Sequence, residues 1–175
     1  MIAVARVENI FLVGPMGSGK SAVGRRLARL LGRDFFDSDE VIEARTGVDI
    51  PFIFEKEGEE GFRKREQAVI DELTAMTGVV LATGGGAVTV PENRSHLAGR
   101  GTVIYLHTGI GQQLRRTRGD KRPLLNKGRR KDVLSELMAV REPLYRGLAD
   151  LVVTTDGRSV AAVATEIREK LGGES

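Results

Sequence analysis

The sequence predicts an α/β domain built on a mainly parallel sheet, and three observations carry that prediction. Short apolar runs alternate with stretches of helical periodicity, as in strand–helix–strand units. Most of these runs are continuously apolar rather than alternating, which is expected where both faces of a strand are covered. A glycine-rich turn joins the first run to the first helical stretch, at the kind of edge where such sheets bind ligands.

Strands are expected near Ile10–Val13, Phe35–Phe36, Val79–Ala82, Val103–Leu106 and Leu151–Val153. The first helix should open at about Lys20 and bury Val23, Leu27, Leu30 and Leu31 on one stripe, with Gly32 as its stop. The last should run from about Ser159, with Val160, Val163, Ile167 and Leu171 on one face. No repeat, low-complexity stretch or linker divides the chain. Residues 1–175 therefore read as one domain with two mobile insertions, a size sufficient for a single core.

Composition narrows the class. Hydrophobic residues make up 41%, yet no apolar run approaches a membrane span, and the N-terminus lacks the pattern of a signal peptide. There are no cysteines, hence no disulfides and no thiolate metal sites, which fits a cytoplasmic protein. The net charge is only +3, but nine Lys or Arg residues and a single acid, Asp120, lie between Arg115 and Lys131. Such a cluster attracts polyphosphate or nucleic acid. No aromatic residue is interleaved with it, unlike single-strand readers, and nucleic acid is not the expected partner.

The segment from Gly14 to Ser21 fits the pattern G-x-x-x-x-G-K-[ST], follows an apolar strand and opens a helix. Its glycines let successive backbone N–H groups face phosphate oxygens, and the helix N-terminus adds partial positive charge there. Gly17, Ser18, Gly19, Lys20, Ser21 and Ala22 are thus the expected nucleotide contacts. Lys20 can bridge the outer phosphates and the Ser21 hydroxyl can ligate Mg²⁺. The pattern identifies a nucleotide site without naming an acceptor.

Four features could build the acceptor side. Asp37 and Asp39 stand two apart at the end of a strand, so both point the same way. One carboxylate can hold a magnesium-bound water while the other orients or deprotonates a hydroxyl; alternatively, Asp39 merely caps a helix starting near Glu40. Arg63 and Glu66, three apart on a helix flanked by Phe62, Ile70 and Leu73, read either as an ordinary surface ion pair or as an arginine aimed at a substrate carboxylate. Gly84-Gly85-Gly86 after Val79–Ala82 allows close backbone approach to a small ligand. Arg141 falls on the apolar stripe of Leu134, Met138, Tyr145 and Leu148, where a buried cation needs an anion. Glu142 or Asp150 could supply it, and so could a bound carboxylate gripped by the planar guanidinium fork.

Between about 116 and 130 a basic, glycine-containing stretch separates two helical patterns, the later starting near Asp132, and reads as an active-site lid. Arg122 could reach the transferring phosphoryl group from it, and Arg116 could lie against the nucleotide, with Arg115 as its near competitor. The histidines, His96 and His107, have no metal-ligand spacing.

Taken together, the phosphate loop, Asp37-Ser38-Asp39, Gly58 through Glu66, Gly84-Gly85-Gly86, Arg122-Pro123-Leu124-Leu125 and Arg141 with Pro143 and Tyr145 resemble the shikimate kinase family, from Ile10 to about Leu171. The resemblance implies a three-layer α/β/α P-loop kinase fold with a five-stranded parallel sheet of order 2-3-1-4-5, a substrate-binding helical insertion over about 38–66, and a mobile lid. It implies transfer of the γ-phosphoryl of ATP to the 3-hydroxyl of shikimate, on the route to chorismate and the aromatic amino acids. Shikimate contacts would come from Asp39, Arg63, Gly84, Gly85, Gly86 and Arg141, and Mg²⁺ support from Ser21 and, through water, Asp37. Lys20, Asp39 and Arg122 would be the catalytic residues, while Arg116 and Arg158 would border the adenine. A monomer is the default expectation. Two rivals are weaker. A gluconate or nucleoside monophosphate kinase suits the two arginines and Asp39 less well. A guanine-nucleotide switch needs N-K-x-D, where Asn126-Lys127-Gly128-Arg129 has no Asp.

Overall fold

A computed structural model of the chain describes residues 8–117 and 129–172. Five strands, β1 (Asn9–Val13), β2 (Asp34–Asp37), β3 (Val79–Ala82), β4 (Gly101–His107) and β5 (Leu151–Thr154), form one sheet of order β2-β3-β1-β4-β5. Every neighbouring pair is parallel, with Leu12 opposite Ala82 on one side of β1 and Ile104 on the other. Both the order and the parallel pairing agree with the expectation, and each predicted strand lies within the observed one.

Because successive strand residues face opposite sides, the central strands divide the core in two. Phe11, Val13, Leu81, Val103 and Tyr105 pack with Ile42, Ile53, Phe62, Val69, Leu73, Leu97 and Tyr145. Ile10, Leu12, Val80, Ile104 and Leu106 pack with Val23, Leu27, Ala28, Val163, Ala164 and Ile167. The second layer consists of α1 (Lys20–Leu31) and α7 (Val160–Gly172); the first draws on α2 (Ser38–Thr46), α3 (Ile50–Thr74), α4 (Pro91–Arg100) and α6 (Arg130–Leu148). The short α5 (Ile110–Arg116) packs on α6. Two covered faces explain why the strands carry no polar alternation. Among the described residues, no helix is long and apolar enough to cross a membrane.

Two helix boundaries depart from the sequence reading. The helix after β2 starts at Ser38, and its cap is Asp37, whose carboxylate accepts from the backbone N–H of Asp39 and Glu40; Asp39 lies inside the first turn. The aspartate one position earlier takes the cap because its backbone is still extended, as an N-cap requires. In α3, helix runs on both sides of Gly58, which breaks it with φ 74° and ψ 178°. That conformation is nearly reserved for glycine, so Ile50–Glu57 and the segment carrying Arg63 and Glu66 can take different directions.

Candidate active site

The strands deliver their chemistry at one edge. A cavity of about 380 Å³ opens at their carboxyl ends, lined by the phosphate loop, the starts of α1 and α2, α3, the glycine turn after β3, Arg116 and Arg141. Ligand sites of open α/β sheets form at this edge, in the crevice left where the strand order reverses and neighbouring connections part to opposite faces.

On the nucleotide side, Gly17, Gly19, Lys20, Ser21 and Ala22 all line the cavity, while Ser18 is buried beneath the loop. The Lys20 ammonium donates to the carbonyls of Gly14 and Pro15 at 2.7 and 2.9 Å and to Ser18 Oγ at 3.4 Å, so it lies against the loop that would hold phosphate. The Ser21 hydroxyl donates to Asp37 Oδ2, and Asp37 Oδ1 accepts from the N–H of Asp39 at 2.9 Å and of Glu40 at 3.2 Å. Asp37 thereby serves two purposes: it caps α2 and presents hard oxygen beside Ser21. Arg116 Nη1 donates to Gly17 O at 3.3 Å. With the Gln112 amide turned to present its oxygen, that oxygen accepts from Arg116 Nη2 at 2.7 Å and Nε at 3.0 Å.

The acceptor side is organised by the glycine turn. A Cβ built on Gly84 would meet Glu66 Oε2 at 2.7 Å and Asp39 Oδ1 at 2.9 Å, so both carboxylates close on its Cα. A Cβ on Gly86 would lie 2.7 Å from Arg141 Nη2 and closer still to Arg63 Nη2. Gly85 stands between the two halves of the site, within contact range of Arg141 on one side and of Met16 N and Gly14 O on the other. Side chains on this turn would fill the space where two guanidiniums and two carboxylates meet the phosphate loop.

Arg63 Nη1 donates to Glu66 at 2.8 Å, and Glu66 is 0% exposed, so this is a buried pair rather than a surface one. Burial pushes the Glu66 carboxyl up, against the pull of the Arg63 and Arg141 charges. Arg141 is 5% exposed, and burial lowers its pKa. Neither carboxylate near it in sequence is its partner. Glu142 takes the Tyr105 hydroxyl and Arg146, while Asp150 accepts from Val103 N at 2.8 Å. Arg141 faces the cavity instead, beside Arg63.

Several contributors had no signal in the sequence. Ser38 Oγ, buried, accepts from Gly84 N at 3.1 Å and fixes the turn against α2. Ile50 and Phe54 wall the cavity from the part of α3 before Gly58. Asp156 Oδ1 accepts from the Thr108 hydroxyl at 2.6 Å and from Gly109 N at 3.1 Å, tying the loop after β5 to the start of α5, the helix that carries Arg116. The bond from Thr108, helped by the Gly109 N–H and against the opposing pull of burial, holds the Asp156 carboxyl below the usual range. Arg158 is not among the lining residues; it donates to Thr154 O at 3.0 Å and pairs with Glu166 at 2.8 Å. Arg122 and most of the expected lid lie outside the described residues. At the lid's boundary, Arg130 donates to the Thr117 hydroxyl and ties the start of α6 to the end of α5.

A strand-led phosphate loop at the carboxyl edge of a 2-3-1-4-5 parallel sheet, facing a small polar acceptor pocket, defines a P-loop kinase. The shikimate kinase family profile matches residues 16–172. The chain is 58% identical to a shikimate kinase of Legionella pneumophila over 174 residues, 99% of each chain. It is 60% identical to that of Halorhodospira halophila over 168 residues, 95% of each. The solved structure of Acinetobacter baumannii shikimate kinase in complex with shikimate superposes with a TM-score of 0.94, at 49% identity, over 97% of this chain and 95% of the other. This chain belongs to the shikimate kinase family.

Proposed function

We propose that this protein transfers the γ-phosphoryl of ATP to the 3-hydroxyl of shikimate, giving shikimate 3-phosphate and ADP in the chorismate pathway. The observation that carries the reading is the glycine turn. Cβ atoms built on its three glycines would meet the Arg63 and Arg141 guanidiniums, the Asp39 carboxylate and, from Gly85, the Met16 N and Gly14 O of the phosphate loop. A small hydroxylated acid meets each of those groups. Its carboxylate would lie across the two guanidiniums, whose planar forks suit it. Its reacting hydroxyl would fall by Asp39, which orients it and takes its proton as the O–P bond forms.

Phosphoryl transfer depends on positioning and charge neutralisation more than on covalent chemistry by the protein. Lys20 and the loop N–H groups bind the outer phosphates, and the helix start behind them favours the charge that moves to the leaving ADP. Arg116 borders the nucleotide, and by family resemblance Arg122 from the lid and Arg158 complete that side. The Ser21 hydroxyl and the Asp37 carboxylate, hard oxygens fixed side by side, fit Mg²⁺ held through water and by the phosphates. When bound, the ion would neutralise charge on the β- and γ-phosphates.

ADP release measured with shikimate, gluconate and nucleoside monophosphates as competing acceptors tests the proposal. Release that depends on shikimate alone is the expected result. ATP turnover that ignores shikimate, or responds equally to gluconate, would overturn the acceptor assignment.

A further inference from the structure

Tyr145 is 0% exposed and is not among the residues that line the cavity, yet its hydroxyl donates to Gly85 O at 2.5 Å. One helical turn before it on α6 stands Arg141, whose guanidinium reaches the same glycine. The ring is held in place by Tyr105, with centroids 5.1 Å apart, and Tyr105 is anchored in turn to Glu142. A Cβ built on Gly85 would stand 3.5 Å from Arg141 Nη1 and from Met16 N, and 3.6 Å from Gly14 O of the phosphate loop. One buried hydroxyl thus fixes the turn that lies between the arginine of the acceptor site and the phosphate loop.

We infer that Tyr145 is a positioning residue for acceptor binding, acting through Arg141 and Gly85 rather than by touching shikimate. The inference rests on the function proposed above. Two elements far apart in sequence, α6 and the turn after β3, must keep a fixed spacing for a carboxylate and a hydroxyl of one small molecule to be held together. Misplacement by a fraction of an ångström at such a site has large kinetic consequences. A part-buried carbonyl that loses its hydrogen-bond partner is also left unsatisfied.

Tyr145→Phe keeps the ring and removes only that hydroxyl. The expected result is a rise of about tenfold in KM for shikimate, with KM for ATP within about twofold of the starting protein, as for loss of one part-buried hydrogen bond. In an Arg141→Ala background the same substitution should raise KM for shikimate by a smaller factor, since the part of its effect routed through Arg141 is already removed. An unchanged KM for shikimate in Tyr145→Phe would overturn the inference. So would parallel losses for both substrates, which mark a merely structural role.

If Tyr145→Phe does not fold, the unsubstituted protein still decides. It has two tyrosines, so 3-fluorotyrosine labelling gives two fluorine signals, assigned with Tyr105→Phe. Shikimate should shift the Tyr145 signal in the unsubstituted protein and leave it in place in Arg141→Ala; no shift in the unsubstituted protein would overturn the inference. A protein that neither binds nor phosphorylates shikimate would instead refute the function on which the inference rests.

Discussion

Gly86→Ala isolates the steric demand of the acceptor site, because the backbone there (φ −96°, ψ 2°) is open to alanine and contributes no strain of its own. The added methyl would start 2.7 Å from Arg141 Nη2, and ordinary contact begins at about 3.4 Å, so that guanidinium must retreat by about 0.7 Å and Arg63 by more. Both are side-chain ends and able to move, so the fold should survive. Neither can move without loss. Arg63 is tied to buried Glu66 at 2.8 Å, and Arg141 is itself buried. Retreat of both forks from one carboxylate should weaken shikimate binding by roughly 1.5–3 kcal/mol, a rise of about 10- to 100-fold in KM. Steady-state ADP release, with shikimate varied at saturating ATP and the reverse, measures it. KM for ATP should stay within about twofold, and the melting temperature should fall by only a few degrees. A folded Gly86→Ala protein with unchanged KM for shikimate would refute the convergence of Arg63 and Arg141 on the acceptor.

Three further outcomes follow from the same geometry. Lys20→Met should lower kcat by at least about 10³-fold while the melting curve changes little, since Lys20 serves phosphates and its ammonium lies against the phosphate loop rather than in the core; retained turnover would contradict that role. Asp37→Asn keeps a side chain able to cap α2 but removes the charge beside Ser21, so a Mg²⁺ titration of activity should need about tenfold more metal at nearly unchanged stability. Asp156 has its carboxyl held below the usual range, chiefly by Thr108. Its contribution is present above the ordinary carboxylate range near pH 4 and lost as pH falls through the depressed value. Asp156→Asn should therefore melt below the parent at neutral pH and converge with it in acid, and equal offsets at every pH would contradict the assignment.

What could be read from the sequence was local chemistry. The phosphate loop, the five strands and the stripes of α1 and α7 are set by residues a few positions apart, and period and spacing report them directly. Arg141 stood out for a physical reason: a cation on an apolar stripe demands an anion, and the structure excludes both of its neighbouring carboxylates as partners. Single-position questions were harder. Asp37 and Asp39 could each be the cap, and the choice turned on where the backbone leaves the strand. The helix before Gly58 escaped notice because glycine normally ends a helix, whereas here it bends one. Ser38, Tyr145 and Asp156 act through partners 46, 60 and 48 residues away, and no spacing rule reaches that far. Arg158 was placed by position after the last strand, but its pairing with Glu166 is a matter of helix geometry in α7.

The most direct test of the central claim is the site of phosphorylation in the product. Incubation with ATP, Mg²⁺ and shikimate followed by phosphorus–proton correlation NMR should give one phosphate ester coupled to the proton on carbon 3, together with an equivalent amount of ADP. An ester at another hydroxyl, or ADP formed without any phosphorylated shikimate, would contradict the placement of the acceptor against Asp39 and the two arginines.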